Sequence, residues 1–488
     1  MARCEKITLP TQIVLLGATG DLAQKKLLSS LMDLYAKGVL PARLHIIAFS
    51  KDNLTSEAYR EFAGKHVQED GHPPHDSTLV TSFLATIEYI QGTFDDRPSF
   101  ERMKTALEAY DASIGMCTSK LFYLAVPPVF YDTIFEQIAR TKLDLPCAEG
   151  EGWVRILVEK PFGRDLVHAQ KLEDKLSVLF REEQIYRIDH YLAKDALQNI
   201  LAFHFSNVLF EDRWNNETIE AVYIKVFEKF DVSNRGAFFD GVGALRDVGQ
   251  NHMLQMLALV AMDPPQTLDE KDLRAERAKV LRTLRPHEAT ELGTTLIKGQ
   301  YEGYRRTAQV DPTSKTETYF ALKTYLTKPS WANIPIYLEH GKALNESVSE
   351  ILIRFRSATH CICGNTTPHD HPNFVRFSIS PEQKITVRFW VHAPGVRYEL
   401  EPNDLVFDRD RTARDGGIVI ANAYEEVLFN AICGDQTLFV SSAEQQAAWT
   451  YVTNILEMWQ DTEPISYTMG GTGPESALKK EILRHFNI

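Results

Sequence analysis

At 488 residues, with hydrophobic types at 44% and charged types at 24%, the chain has globular composition and is long enough for two or three cores of about 100–200 residues each. A formal net charge of −13, with the acid spread along the sequence, argues against nucleic acid as a partner, because binding phosphate polymers needs a concentrated basic face. No apolar run approaches the ~18 residues of a membrane span, and Met1 to Gln12 is polar where a secretory signal would be basic and then apolar. Six cysteines in so long a chain (Cys4, Cys117, Cys147, Cys361, Cys363, Cys433) do not read as a disulfide framework, and a reducing, cytoplasmic setting is expected.

In chain order, Ile13-Val14-Leu15-Leu16 is a short apolar run that stops at Gly17-Ala18-Thr19-Gly20-Asp21. Leu22, Leu27, Leu28, Leu31, Met32 and Tyr35 then recur at helical spacing until Gly38 and Pro41, and Leu44 to Phe49 is a second apolar run. Strand, glycine turn, helix, strand is one βαβ unit, which builds parallel sheet. Further buried-type strands are read at Leu121 to Val126 and Val154 to Val158. Residues 1–188 are therefore expected to form an α/β Rossmann-like domain.

Beyond it, Asp189 to Phe205 and Gly243 to Met262 are predicted helical. Val222, Ile224 and Val226, then Ile351, Ile353 and Phe355, then Val375, Phe377 and Ile379, then Ile385, Val387, Phe389 and Val391 keep period two, as half-buried strands do. Residues 189–488 thus read as an α+β domain with a large, mainly antiparallel sheet. Trp449 is expected in the core.

The turn Gly17, Ala18, Thr19, Gly20, Asp21, Leu22 stands where a dinucleotide pyrophosphate meets backbone N–H groups and the positive end of a helix. Its Gly-x-x-Gly spacing departs from the common dinucleotide fingerprint and fails the P-loop pattern. At the end of the second strand, Ser50 and Lys51 suit a ribose 2′-phosphate, while Asp52 could turn toward ribose hydroxyls. NADP is favoured and NAD stays open. Lys25 and Lys26 either reach a ligand or form a solvated helix face.

The most specific segments are Arg187-Ile188-Asp189-His190-Tyr191-Leu192-Ala193-Lys194, Arg235 to Asp240 followed by Arg246-Asp247-Val248-Gly249-Gln250-Asn251-His252, and Glu159-Lys160-Pro161-Phe162-Gly163. With the glycine turn, Gly341 to Glu346, Gly434 to Phe439 and Gly473-Pro474-Glu475, they run in order over nearly the whole chain. Together they resemble the signature set of the glucose-6-phosphate dehydrogenase family.

That resemblance implies oxidation of glucose 6-phosphate to its lactone, with NADP as hydride acceptor. Removing a hydroxyl proton as hydride departs calls for a base of near-neutral pKa, and histidine is the usual one. By resemblance His252 is that base and Asp189 its partner, a carboxylate that fixes the tautomer and steadies the imidazolium. His190 and Lys194, four apart and so expected on one helix face, are implied to hold the phosphate, with Tyr191 adding a hydroxyl. Glu228, Asp247 and Lys342 are implied at sugar hydroxyls. Lys160 is implied where nicotinamide and sugar meet, and Pro161 after it favours extended backbone there.

The chain departs from the family pattern at Ala237 and Phe238, at Ser347 where a basic residue is expected, at Ser380 where a glutamine is expected, and at Lys51 in place of arginine. Lysine keeps the charge but loses the bidentate fork, so weaker discrimination against NAD is expected. His360, Cys361, Cys363, His369 and His371 match no common zinc spacing, and no metal is expected. Partners implied are glucose 6-phosphate and a second copy of the chain, as homodimer or homotetramer. Two rival readings remain at this point: another Rossmann-type sugar oxidoreductase, and a catalytically silent NADP-binding protein.

Overall fold

The computed structural model describes residues 9–67, 74–148, 150–358, 371–396, 399–408 and 421–486. Two compact units emerge, one of residues 1–193, 267–274 and 421–445, the other of residues 194–266, 275–420 and 446–488.

The first unit is built on β1 (Thr11–Leu16), β2 (Leu44–Ser50), β3 (Ile87–Gln91), β4 (Ser119–Leu124), β5 (Val154–Val158) and β6 (Ile185–Ile188). These six are parallel, in the order β6-β5-β4-β1-β2-β3. Strands β1, β2 and β4 are buried at every position, as expected of a parallel sheet covered on both faces. Leu28, Leu31, Tyr59 and Phe83 pack on one face, and Phe100, Met103, Ile134 and Phe135 on the other. The helix Arg97–Ile114 shows how locally these elements are specified. Asp96 caps its start, accepting the Ser99 N–H at 3.1 Å, and Gly115 ends it at φ 67°.

Late sequence completes this unit. The strand Phe439–Val440 pairs antiparallel with β6. The helix Ala423–Cys433 buries Val427, Leu428 and Ala431 in the first core, and Glu425 ion-pairs with Lys37. Gln436 Nε2 donates to the Ile185 carbonyl at 3.1 Å.

In the second unit, nine strands among the described residues form one sheet. They are β7 (Ile219–Phe227), β8 (Leu296–Tyr301), β9 (Tyr319–Thr324), β10 (Ile336–Gly341), β11 (Val348–Phe355), β12 (Phe374–Ser380), β13 (Lys384–His392), β14 (Leu400–Asp408) and the strand Ile465–Tyr467. The order is β14-β13-β12-β11-β7-β10-β9-β8 and then Ile465–Tyr467. Pairing is antiparallel except between β7 and β10 and at the last pair. The period-two strands are present, but the half-buried expectation fails for β7 and β11, whose residues are almost all buried. These central strands are covered on both faces, whereas β12 alternates and β14 is mostly exposed. Trp449 is in the core.

Two further expectations are corrected. The helix read from Asp189 begins only at Asp195 and runs to Phe205. Residues 189–194 instead form a turn started by the Asp189 carboxylate, which accepts the Tyr191 N–H at 2.9 Å; such local bonds compete with helix. His190 and Lys194 therefore do not share a helix face. Cys117 and Cys147, not expected to pair, form a disulfide with Cα atoms 5.9 Å apart.

Candidate active site

Because β1 to β6 are parallel, everything just past their last residues gathers along one edge of the sheet. The glycine turn follows β1, Lys51 follows β2, Lys160 follows β5, and Asp189, His190 and Tyr191 follow β6. The order in which successive strands are added reverses between β1 and β4, and open α/β sheets take their ligands at such a switch point.

Gly17 has φ +86°, and a Cβ there would lie 2.5 Å from the Ala125 carbonyl oxygen, so only glycine fits. The Gly17 and Ala18 N–H groups bond the Phe49 carbonyl, and Gly20 N–H bonds that of Gly17. An anion at this turn therefore meets the amides that open the following helix. Asp21, exposed, pairs with Lys25 at 2.7 Å, which places Lys25 on the solvated face.

Asp52 does not project freely. Its carboxylate accepts the Thr19 hydroxyl and, at 3.1 Å, the Ser50 hydroxyl. The Thr19 bond holds its carboxyl below the ordinary range. Lys51 is left as the exposed cation at the end of β2.

Around Lys160, whose bond to Pro161 is cis, lies a polar cluster that sequence reasoning passed over. Glu159 Oε1 accepts the Tyr123 hydroxyl at 2.6 Å, and Oε2 lies 3.2 Å from His190 Nε2. Burial alone would lift the Glu159 carboxyl, but His190, the Tyr123 hydroxyl and Lys160 outweigh it and hold it down. Tyr424 places its ring 4.3 Å from that of His190. Glu159 was visible inside the Glu-Lys-Pro motif; Tyr424 carried no signal, because nothing in the sequence tells that its helix returns to this sheet.

In the second unit, residues Leu245–Met253 are π-helical and continue into the buried helix Leu254–Ala261. The π-helical stretch packs on β7 and β10. Such stretches are rare and frequent at functional sites; their i to i+5 repeat brings Asp247 and His252 about one turn apart. Gly249 has no room for a side chain, since a Cβ would lie 2.9 Å from Phe320. His252 is 5% exposed, and its backbone N–H donates to Asn251 Oδ1 at 2.6 Å.

Glu228 follows β7 and Lys342 follows β10, and those two strands are neighbours. Lys342 Nζ donates to Glu228 Oε2 at 2.6 Å and lies 3.2 Å from Asp247 Oδ2. Burial opposes both charges, yet His340 and Lys342 lower the Glu228 carboxyl, and Glu228 and Asp247 raise the Lys342 ammonium. His340, wholly buried, donates from Nδ1 to the Val226 carbonyl at 2.5 Å, and burial pushes its pKa down to about 4. Sequence reading did not single it out.

The three residues expected at sugar hydroxyls thus come together. Lys194 stands at the start of the helix Asp195–Phe205. Ser347 accepts the Lys229 N–H at 2.9 Å, beside the strand end that carries Glu228. Of the cysteine and histidine cluster, His360, Cys361, Cys363 and His369 lie outside the described residues, and His371 places its ring 4.3 Å from Trp390.

Residues 14–199 match the glucose-6-phosphate dehydrogenase NAD binding domain, and residues 201–485 match the glucose-6-phosphate dehydrogenase C-terminal domain. The chain is 33% identical to glucose-6-phosphate 1-dehydrogenase of Chlamydia pneumoniae, over 96% of this chain and 94% of that protein. It is 34% identical to glucose-6-phosphate 1-dehydrogenase 2 of Mycobacterium bovis, over 99% and 94%. Among solved structures, a glucose-6-phosphate dehydrogenase in complex with its substrate glucose-6-phosphate is similar with a TM-score of 0.90 and 30% identity, covering 99% of both chains. The Mycobacterium avium enzyme is similar with a TM-score of 0.81 and 28% identity, covering 96% of both.

Proposed function

This chain belongs to the glucose-6-phosphate dehydrogenase family, and from that we infer that it oxidises D-glucose 6-phosphate to 6-phospho-D-glucono-1,5-lactone. The observation that carries this is the likeness of the whole chain, over 99% of its length, to a family member solved with that sugar phosphate.

The first unit fits NADP. The turn at Gly17 has space only for backbone, where a phosphate can approach, and Lys51 stands exposed at the strand end that faces a 2′-phosphate. Gly17, Ala18, Thr19, Gly20, Asp21, Leu22, Lys51 and Lys160 are the residues assigned to it. When bound, NADP supplies the hydride acceptor.

His252 takes the proton of the C1 hydroxyl, and Asp189 is the carboxylate assigned to steady the imidazolium so formed. General-base help of this kind is worth about 10²–10⁴-fold in rate. His190, Tyr191 and Lys194 hold the phosphate. Glu228 and Asp247, both paired with Lys342, accept sugar hydroxyls, and Lys342 donates. The assignment divides the chain into a cofactor domain, 1–188, and a substrate and dimerisation domain, 189–488, of which residues 267–274 and 421–445 belong by their contacts to the cofactor unit.

We further assign the chain to the cytoplasm as a homodimer or homotetramer. No described helix is long and apolar enough to cross a membrane. Leu405, Val406 and Phe407 are exposed along β14, an apolar edge of the kind that self-association covers. The test of the function is NADPH absorbance with glucose 6-phosphate, galactose 6-phosphate and glucose in turn. Turnover led by glucose 6-phosphate is expected; equal turnover of phosphorylated and free sugar would point to a different sugar oxidoreductase, and no turnover to a silent NADP-binding protein.

A further inference from the structure

We propose that Glu159 is a positioning residue for the sugar phosphate: its carboxylate takes one nitrogen of the His190 ring and so fixes the ring with its other nitrogen toward the phosphate. The proposal rests on the reading that His190 binds that phosphate.

Adjacent parallel strands create the pair. β5 and β6 run in register, Val158 against Arg187, so the residues just beyond them, Glu159 and His190, leave the sheet at the same edge. Glu159 is only 13% exposed at its side chain, and its two oxygens have different partners. Oε1 takes the Tyr123 hydroxyl at 2.6 Å, and Oε2 faces His190 Nε2 at 3.2 Å. The Glu159 main chain is also pinned, since Tyr131 donates to its carbonyl at 2.7 Å. A carboxylate held at both ends is a rigid mount.

The chemistry of imidazole gives the mount its purpose. A neutral ring that donates Nε2–H to Glu159 carries a lone pair on Nδ1, which repels an anion. Only the imidazolium donates from both nitrogens. His190 Nδ1 is buried and has no hydrogen-bond partner among the described residues, so it is the nitrogen left for a ligand. The Glu159 carboxylate, on the far nitrogen at 3.2 Å, sets which nitrogen faces the ligand. Lys160 adds positive charge next to Glu159, and Tyr424 packs its ring 4.3 Å from that of His190.

The test compares Glu159→Gln, His190→Asn and the double variant, each confirmed to be folded by thermal melting and to bind NADP. Glu159→Gln keeps the shape and an acceptor but removes the charge. It should raise KM for glucose 6-phosphate roughly 10- to 100-fold, the range for losing a charged hydrogen bond, while kcat falls only a few-fold. The preference in kcat/KM for glucose 6-phosphate over glucose should shrink by a similar factor. The double variant should be no worse than His190→Asn alone, because Glu159 acts through His190. Tyr123→Phe should move the same ratio by a smaller factor. Losses that multiply in the double variant, or an unchanged preference between the two sugars, would overturn the role and leave Glu159 purely structural. If His190→Asn itself leaves that preference intact, the phosphate assignment of His190 is what fails.

Discussion

The Lys342 ammonium lies 2.6 Å from the Glu228 carboxylate, at the ends of two neighbouring strands, with Asp247 3.2 Å away on its other side. One cation between two carboxylates makes the cluster charge-coupled. Burial is the largest influence on Glu228 and raises its carboxyl, while His340 and Lys342 together oppose it, so removing the lysine weakens that opposition.

Lys342→Met should therefore do more than weaken sugar binding. A loss of about 2 kcal/mol in transition-state binding, roughly thirtyfold in kcat/KM, is expected for a buried charged hydrogen bond. The acid limb of the kcat/KM profile should also move to higher pH, because Glu228 then protonates more readily. A profile that keeps its limb while falling in height would separate the lysine from the carboxylate.

His252→Asn should lower kcat by about 10²–10⁴-fold and leave NADP affinity, read by fluorescence titration, nearly unchanged. The substitution keeps a polar side chain of smaller size in a buried helix. Loss of cofactor binding along with turnover would mean that the fold, not the base, had been removed.

Asp52 bears on cofactor choice. Its carboxyl is held down by Thr19, so it is anionic at neutral pH, on the same loop as Lys51. Asp52→Asn should raise the NADP over NAD preference by about fivefold, the scale of one partly screened charge a few ångströms from a 2′-phosphate. Lys51→Arg should act in the same direction by supplying a bidentate fork. The ratio of kcat/KM for the two cofactors measures both; a fall in either variant contradicts this reading.

Two buried histidines should make the protein acid-sensitive. Burial lowers His204 and His340 from 6.5 to about 4. Between those values the unfolded chain binds more protons than the folded one, so stability is present above pH 6.5 and lost as pH falls toward 4. By pH 5 each contributes a loss of about 2 kcal/mol. Urea midpoints measured from pH 7 to 5 should fall, and more shallowly in His204→Gln.

How much of this was legible beforehand follows from which interactions are local. Ile13 to Leu16, the glycine turn and Leu44 to Phe49 announced β1, its turn and β2, because unbroken apolar runs and turn residues act over a few positions. The motif around His252 marked the right helix, though nothing in it gave away π geometry. The helix assigned from Asp189 failed because a single side-chain bond from Asp189 to the Tyr191 N–H diverted the chain into a turn. Tyr424 and the Glu159–His190 pair were invisible for a different reason: each depends on strand order, which joins residues far apart in sequence.

That strand order has a consequence for synthesis. The edge of β6 is covered by Phe439–Val440 and braced by the helix Ala423–Cys433. A ribosome releases the first six strands of this sheet long before it makes the piece that closes it. Until then a nascent chain carries an uncovered, hydrogen-bond-hungry flank, the sort that pairs with strangers. Stop codons that remove only the last seventh of the message should therefore damage the cofactor half, although that half is encoded first, and yield aggregates in place of a trimmed but competent nucleotide binder.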